Sequence, residues 1–279
     1  MARILVVGSA NIDRIWWLDR PLVSSGRPFY ERIESRLGGG GFNTGSALLA
    51  LGHEVLLATT LFDDDKGRAI LATLDACGFD TRFIAFVPGE SIETEILIDP
   101  QGERTIIGRA GTGRKPVMAE LPRVEAAAIY LNSRRMSATA TSGLARFPHV
   151  VSQFPLSPGE IRPADVLIAS RSDVSGPADT LWRDARERAG QRLSQLVLTD
   201  GSKPVCVIER GEQVEVPVPP IGPVRDTTGA GDAFAAGYID GILRGPDTAA
   251  IAARRGNEAA AAWLSKDGKE PGGRTMAAM

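Results

Sequence analysis

Short, continuous apolar runs recur along the chain, at residues 3–8 (RILVVG), 55–61, 127–131, 166–169 and 196–199. A run of this length with no polar alternation suits a strand covered on both faces, which is the habit of parallel sheets. Segments of helical character lie between and after them, at 43–51, 66–77, 178–189, 230–243 and 248–264. Strand then helix, repeated, predicts an α/β fold with helices on both faces of a mainly parallel sheet. The 279 residues, 43% of them hydrophobic, suffice for one large core, so a single domain over 1–265 is expected.

Two stretches break the alternation. Residues 12–37, with Trp16, Trp17, Phe29 and Tyr30, and residues 91–108, where Gly102 turns between SIETEILID and ERTIIG, read as strands with one face exposed. They flank the first helix and the second strand, and are expected to join in a small β-sheet that projects from the core as a lid. Its exposed apolar residues suit pairing with a second copy in a homodimer. Trp16 and Trp17 suit either the substrate pocket or that contact. The tail 266–279 is polar and glycine-rich, and loose order is expected there.

Several function classes are excluded. Lys and Arg number 32 against 34 Asp and Glu, and no run of like charge stands out, so a broad nucleic-acid footprint is not supported. The apolar start is too brief for a secretory leader or a membrane span, and a cytoplasmic protein is expected. Cys77 and Cys206 form no CxxC pair, and His53 and His149 stand far apart, which argues against structural zinc and a disulfide framework. Neither a P-loop nor a GxGxxG after the first strand is present.

The sharpest motif is Asp226-Thr227-Thr228-Gly229-Ala230-Gly231-Asp232, which leads into the small-residue helix AFAAG. At such a helix start the first backbone N–H groups have no intrahelical partner, and with the positive end of the helix dipole they make a phosphate site. Asp232 stands at that terminus, where a carboxylate can accept the proton of an attacking hydroxyl. The dipole predicts a weak base there, which phosphoryl transfer tolerates because it relies mainly on positioning and charge stabilisation. Upstream, Gly8-Ser9-Ala10-Asn11-Ile12-Asp13 ends the first strand at the carboxyl edge where open α/β sheets bind ligands. Asn11 offers donor and acceptor, and an ionised Asp13 accepts two hydroxyls, so the pair suits a polyol.

DTTGAGDAFAAG resembles the C-terminal signature of the ribokinase-like (PfkB) carbohydrate kinases, and Gly38-Gly39-Gly40-Gly41-Phe42-Asn43, running to Leu51-Gly52, resembles their N-terminal one. The resemblance spans Gly8 to Asn257 and implies a Rossmann-like three-layer sandwich with a small β lid. It implies an ATP-dependent kinase that phosphorylates a hydroxyl of ribose, fructose, a ketodeoxy sugar acid or a nucleoside. Asp232 would be the base, with the N–H groups of Gly229, Ala230 and Gly231 receiving charge. Asn11, Asp13, Gly39, Gly40 and Asn43 would orient the acceptor, Thr199, Gly201 and Asn257 would meet the nucleotide, and Mg²⁺ would accompany ATP, with room for a monovalent cation.

Departures lie on the nucleotide side. Thr199-Asp200-Gly201-Ser202-Lys203 is followed by Pro204 where the family has glycine, and Ser170-Arg171-Ser172-Asp173 stands where the family has Asn-x-x-Glu. Asp173 could still reach Mg²⁺ through a water. These departures motivate the rival reading, a non-catalytic sugar or nucleotide sensor that keeps the fold.

Overall fold

The computed structural model describes residues 1–108, 118–132, 136–155, 159–209, 211–245 and 248–265, so the expectation for the 266–279 tail lies outside the described residues. The elements, in chain order, are β1 (Arg3–Val7), β2 (Asn11–Leu18), β3 (Tyr30–Gly38), α1 (Gly40–Ala50), β4 (Glu54–Phe62), α2 (Asp65–Ala76), β5 (Ile84–Val87), β6 (Thr94–Ile98) and β7 (Arg104–Ile107). There follow β8 (Ala128–Leu131), α3 (Ala138–Ser142), β9 (His149–Gln153), β10 (Val166–Ser170), α4 (Ala178–Ala189), β11 (Gln195–Asp200), β12 (Lys203–Glu209), β13 (Glu212–Val216), α5 (Ala230–Leu243) and α6 (Ala249–Leu264).

Nine strands form one sheet in the order β13-β12-β11-β10-β9-β8-β1-β4-β5. It is parallel from β5 to β11, and the hairpin partners β12 and β13 add an antiparallel edge. The alternation of side chains along each strand splits the core in two. Ile4, Val6, Val55, Leu57 and Val197 pack with α1, α2, α5 and α6 on one face. Leu5, Val7, Leu56, Ile129 and Leu167 pack with α3 and α4 on the other. The expected three layers are therefore present, with β5, β9 and the β12–β13 hairpin beyond the strands foreseen. β9 is short and interrupted by Ser152, so its pattern carries little strand signal.

The remaining strands make a separate sheet in the order β3-β2-β6-β7. β2 pairs antiparallel with β3 and parallel with β6, with Asp13 opposite both Arg36 and Thr94. Ile15, Ile96 and Ile98 form a small core of its own beside Trp17. No helix among the described residues is long and apolar enough to cross a membrane.

Two features position the site. Strand order reverses between β1 and β8: the chain builds β4 and β5 on one side of β1, then β8 to β13 on the other. A crevice opens beyond the carboxyl ends of strands at such a point. The small residues of α5 are explained by α6, since a methyl group on Gly237 would fall 2.4 Å from the Arg255 carbonyl, and one on Gly241 would fall 2.7 Å from the Ala252 backbone. Close packing of these helices lets Trp263 of α6 donate its Nε1 to the Thr228 carbonyl at 2.9 Å, bracing the turn before α5.

Candidate active site

The crevice between β1 and β8 is lined by segments that each need a missing side chain. Gly8, at the end of β1, touches the backbone of Gly41, where a Cβ would fall 2.6 Å from its Cα. Gly39 holds a φ of 94°, a left-handed conformation that favours glycine, and brings the start of α1 back over Ser9 so that the Gly41 and Phe42 N–H groups donate to its carbonyl. A Cβ on Gly40 would lie 2.2 Å from the Asn132 side chain, and one on Gly38 1.9 Å from the Asp13 carboxylate. The glycine run thus clears space for polar groups that arrive from other elements.

Asp232, in the first turn of α5, meets three of them. Asn43 Nδ2 donates to Oδ2 at 3.2 Å, while Thr44 Oγ1 and Asn132 Nδ2 donate to Oδ1 at 3.3 and 3.2 Å. Burial pushes its pKa up to about 6, against the opposing pull of the Asn43 and Thr44 hydrogen bonds and of the Arg104 charge. The weak base expected from a helix N-terminus is therefore corrected: desolvation raises this carboxylate above the ordinary range. Tyr130 lies beneath, its hydroxyl accepting from Asn132 and Gln153, and burial with the nearby Asp232 charge raises its pKa and keeps it neutral.

Gly229 adopts a left-handed φ of 82° and caps α5. The Ala230 N–H donates to the Thr227 carbonyl at 3.2 Å and so closes the turn, which removes it from the donors expected to face a phosphate. The N–H groups of Gly229, Gly231 and Asp232 have no acceptor among the described residues, and a Cβ on Gly231 would meet open space. Asp226 shapes the same turn by accepting from the Thr228 N–H at 2.8 Å and from Arg36 at 2.7 Å.

On β2, Asn11 Nδ2 donates to Asp13 Oδ1 at 2.6 Å and to Thr94 Oγ1 at 3.2 Å. Burial raises Asp13 to about 6, opposed by Arg36 and the Asn11 amide, with Asp232 and Asp226 adding to the rise. The sequence-derived acceptor set of Asn11, Asp13, Gly39, Gly40 and Asn43 thus gathers around Asp232. Trp16 and Trp17 part company: Trp16 donates to Glu95, packs edge-on to Tyr30 and carries Arg14 over its ring, whereas Trp17 lies under Arg32 on the Asp13 face.

Of the residues expected on the nucleotide side, Thr199, Gly201 and Asp173 stand along the carboxyl edge of β10 and β11, and Asn257 lies on α6. Thr199 pairs with Ser170 in register, and its hydroxyl donates to the Ala169 carbonyl at 3.3 Å. Gly201 belongs to a two-residue hairpin closed by Lys203 on Asp200 at 3.0 Å, and Pro204 falls in the irregularity between β11 and β12, where its missing N–H costs little. Asp173 is exposed just past β10, and Ser170 and Ser172 share a hydrogen bond of 2.8 Å. Asn257 is 3% exposed, and its Nδ2 donates to the Pro217 carbonyl at 3.0 Å, so it anchors the segment after β13.

Asn132, Thr44, Arg36 and Arg104 were missed in the sequence. A signal existed for Asn132, which directly follows the apolar strand AIYL at the edge where α/β sheets bind ligands.

A family model described as pfkB family carbohydrate kinase matches residues 1–150 and 161–272. The chain is similar to an uncharacterized sugar kinase of Archaeoglobus fulgidus, 28% identical over 245 residues that cover 81% of this chain and 97% of that one. It is similar to ribokinase of Bacillus subtilis, 26% identical over 284 residues covering 98% and 96%. The solved structure of Arabidopsis thaliana ribokinase complexed with ribose and ATP shares the fold, with a TM-score of 0.73 at 19% identity over 97% of this chain and 95% of that one.

Proposed function

Since this chain belongs to the pfkB family of carbohydrate kinases, we propose that it transfers the terminal phosphoryl group of ATP to a hydroxyl of a sugar or sugar-like acceptor held by Asn11 and Asp13. The observation that carries this reading is Asp232, oriented by Asn43, Thr44 and Asn132 beside three open N–H groups at the start of α5. A carboxylate raised to about 6 is ionised at neutral pH and still basic enough to take a proton late in the reaction.

The acceptor hydroxyl gives its proton to Asp232 as its oxygen bonds to the γ-phosphorus. The bond from that phosphorus to the β–γ bridging oxygen breaks, and ADP leaves with the electron pair. The N–H groups of Gly229, Gly231 and Asp232 receive the charge on the transferring group. Asn11 and Asp13 hold neighbouring hydroxyls of the acceptor, and the small sheet acts as the lid over them. Thr199 and Gly201 border the nucleotide, and Asn257 acts on it through the Pro217 segment.

Mg²⁺ would arrive on ATP, an ion that usually keeps several of its waters. Asp173, exposed past β10, would reach such an ion through a water, and the ion would neutralise phosphate charge. Exposed Phe29, Tyr30, Ile33, Ile106 and Ile107 on or beside the small sheet support a homodimer through it.

The test is ADP release with ATP and a panel of ribose, fructose, a ketodeoxy sugar acid and a nucleoside. Asp232→Asn is expected to lower kcat by about 10² or more with its circular dichroism unchanged. Near wild-type turnover in the folded variant would refute the assignment, and acceptor binding without turnover by the wild type would favour the sensor.

A further inference from the structure

The small sheet delivers two guanidinium groups to the turn before α5, and they are held differently. Arg36 of β3 is ion-paired at 2.7 Å with Asp226, whose side chain is 5% exposed, so its charge is neutralised. Arg104 of β7 has no carboxylate partner among the described residues; its Nη1 donates to the Thr227 carbonyl at 3.3 Å. The β6–β7 hairpin that carries it packs closely on the segment leading into that turn, since a Cβ on Gly102 would fall 2.9 Å from the Val224 carbonyl. Arg104 is exposed, yet near enough to Asp232 for its charge to act on that carboxylate.

A guanidinium with no carboxylate partner among the described residues is thus held at the turn that leads into the open N–H groups of Gly229, Gly231 and Asp232, within reach of the Asp232 charge. Those dipoles amount to roughly half a positive charge. A phosphoryl group in transfer presents three charged oxygens, more than such a terminus balances by itself. A planar guanidinium offers five donors and is always charged, so it suits this complement.

We propose that Arg104 is a catalytic residue that contacts the transferring phosphoryl group, completing from the small sheet the anion site that the N-terminus of α5 leaves open. The assignment rests on the kinase reading above. Its consequence is that the charge needed for transfer arrives on the same sheet that carries Asp13. Phosphoryl transfer is then fast only when the sheet is closed over an acceptor, and transfer to water is held back while it is open.

Two other roles make different forecasts. A mere tether of the hairpin to Thr227 would loosen the sheet and raise the acceptor KM at nearly constant kcat. A binder of anionic acceptors would affect only acceptors that carry a carboxylate or phosphate.

The experiment compares wild type, Arg104→Gln and Arg104→Lys with ATP and the best acceptor of the panel. The expected result for Arg104→Gln is a kcat about 10² lower or less, with the acceptor KM within about threefold. The lysine variant is expected to recover part of the loss. The groups facing Asp232 are Arg104 from β7, Asp13 from β2 and Tyr130 from β8, besides the neutral Asn43, Thr44 and Asn132. Removal of the single cation among them is expected to move the acid limb of kcat to higher pH, and the lysine variant, which keeps the charge, is expected to restore it; this limb checks that the charge reaches Asp232, while the kcat loss and the fluoride increment below separate catalysis from a tether. A second arm needs no turnover: ADP with Mg²⁺ and aluminium fluoride is expected to raise the melting temperature of the wild type beyond ADP with Mg²⁺ alone, and that increment is lost in Arg104→Gln. A kcat and acid limb like wild type, a change confined to the acceptor KM or to anionic acceptors, or an intact aluminium fluoride increment would overturn the assignment. If no acceptor is turned over by the wild type, the kinase reading fails separately, and the fluoride increment still decides whether Arg104 meets a phosphoryl-like anion beside ADP.

Discussion

Gly38→Ala acts on Asp13 without touching its chemistry. Gly38 has no left-handed φ, so alanine fits its backbone, and the substitution adds one methyl group. That methyl would lie 1.9 Å from Asp13 Oδ2 and 2.4 Å from its Cγ, and contacts below 3.0 Å do not persist. The carboxylate must retreat by about 1 Å, a displacement that by itself can cost about 10²-fold at a reacting site. If it loses one charged hydrogen bond to the acceptor, about 1.5–3 kcal/mol, the acceptor KM rises by about 10-fold to 100-fold. The ATP KM is expected to stay within about threefold, since Asp13 is proposed to hold the acceptor and not ATP. Steady-state kinetics of wild type, Gly38→Ala, Asp13→Ala and the double variant complete a cycle. Because the methyl works only through the carboxylate, the double variant should match Asp13→Ala. Additive effects, or equal rises in both KM values, would refute the reasoning.

Asn132→Ala removes a donor from Asp232 and is expected to lower kcat by about tenfold at nearly unchanged acceptor KM, since an amide hydrogen bond to a charged group is worth about 1.5–3 kcal/mol; an unchanged kcat would remove Asn132 from the positioning of the base. Burial holds both Asp13 and Asp232 near 6, so kcat/KM is expected to climb through pH 6 with an acid limb steeper than one proton, and Asp13→Asn should reduce it to a single ionisation. The same shifts bear on stability with the opposite sign: each carboxyl binds its proton more tightly folded than unfolded. Between about pH 4 and pH 6 these two groups therefore make the protein less stable as pH rises, and urea midpoints that fail to fall across that window, or fall as much in Asp13→Asn, would contradict this.

The strand runs, the α4 and α5 helices and the two glycine signatures were legible because each depends on residues close in sequence. An unbroken apolar run needs cover on both faces wherever it occurs, and a loop entering a helix at Gly-Ala-Gly-Asp leaves N–H groups without an intrahelical partner in any context. The sequence by itself therefore determined the layered α/β class, the small second sheet and the position of Asp232 at a helix start. It did not determine what surrounds that carboxylate. Asn43 and Asn132 reach it from 189 and 100 residues away, and Arg36 reaches Asp226 across 190. Such partners are chosen by the strand order at the β1–β8 reversal and by the docking of the small sheet. The basicity of Asp232 was likewise beyond local reading: the dipole that lowers a carboxylate pKa is a property of one helix, whereas the burial that raises it higher is made by α1, β8 and the sheet together, and only the tertiary structure assembles them.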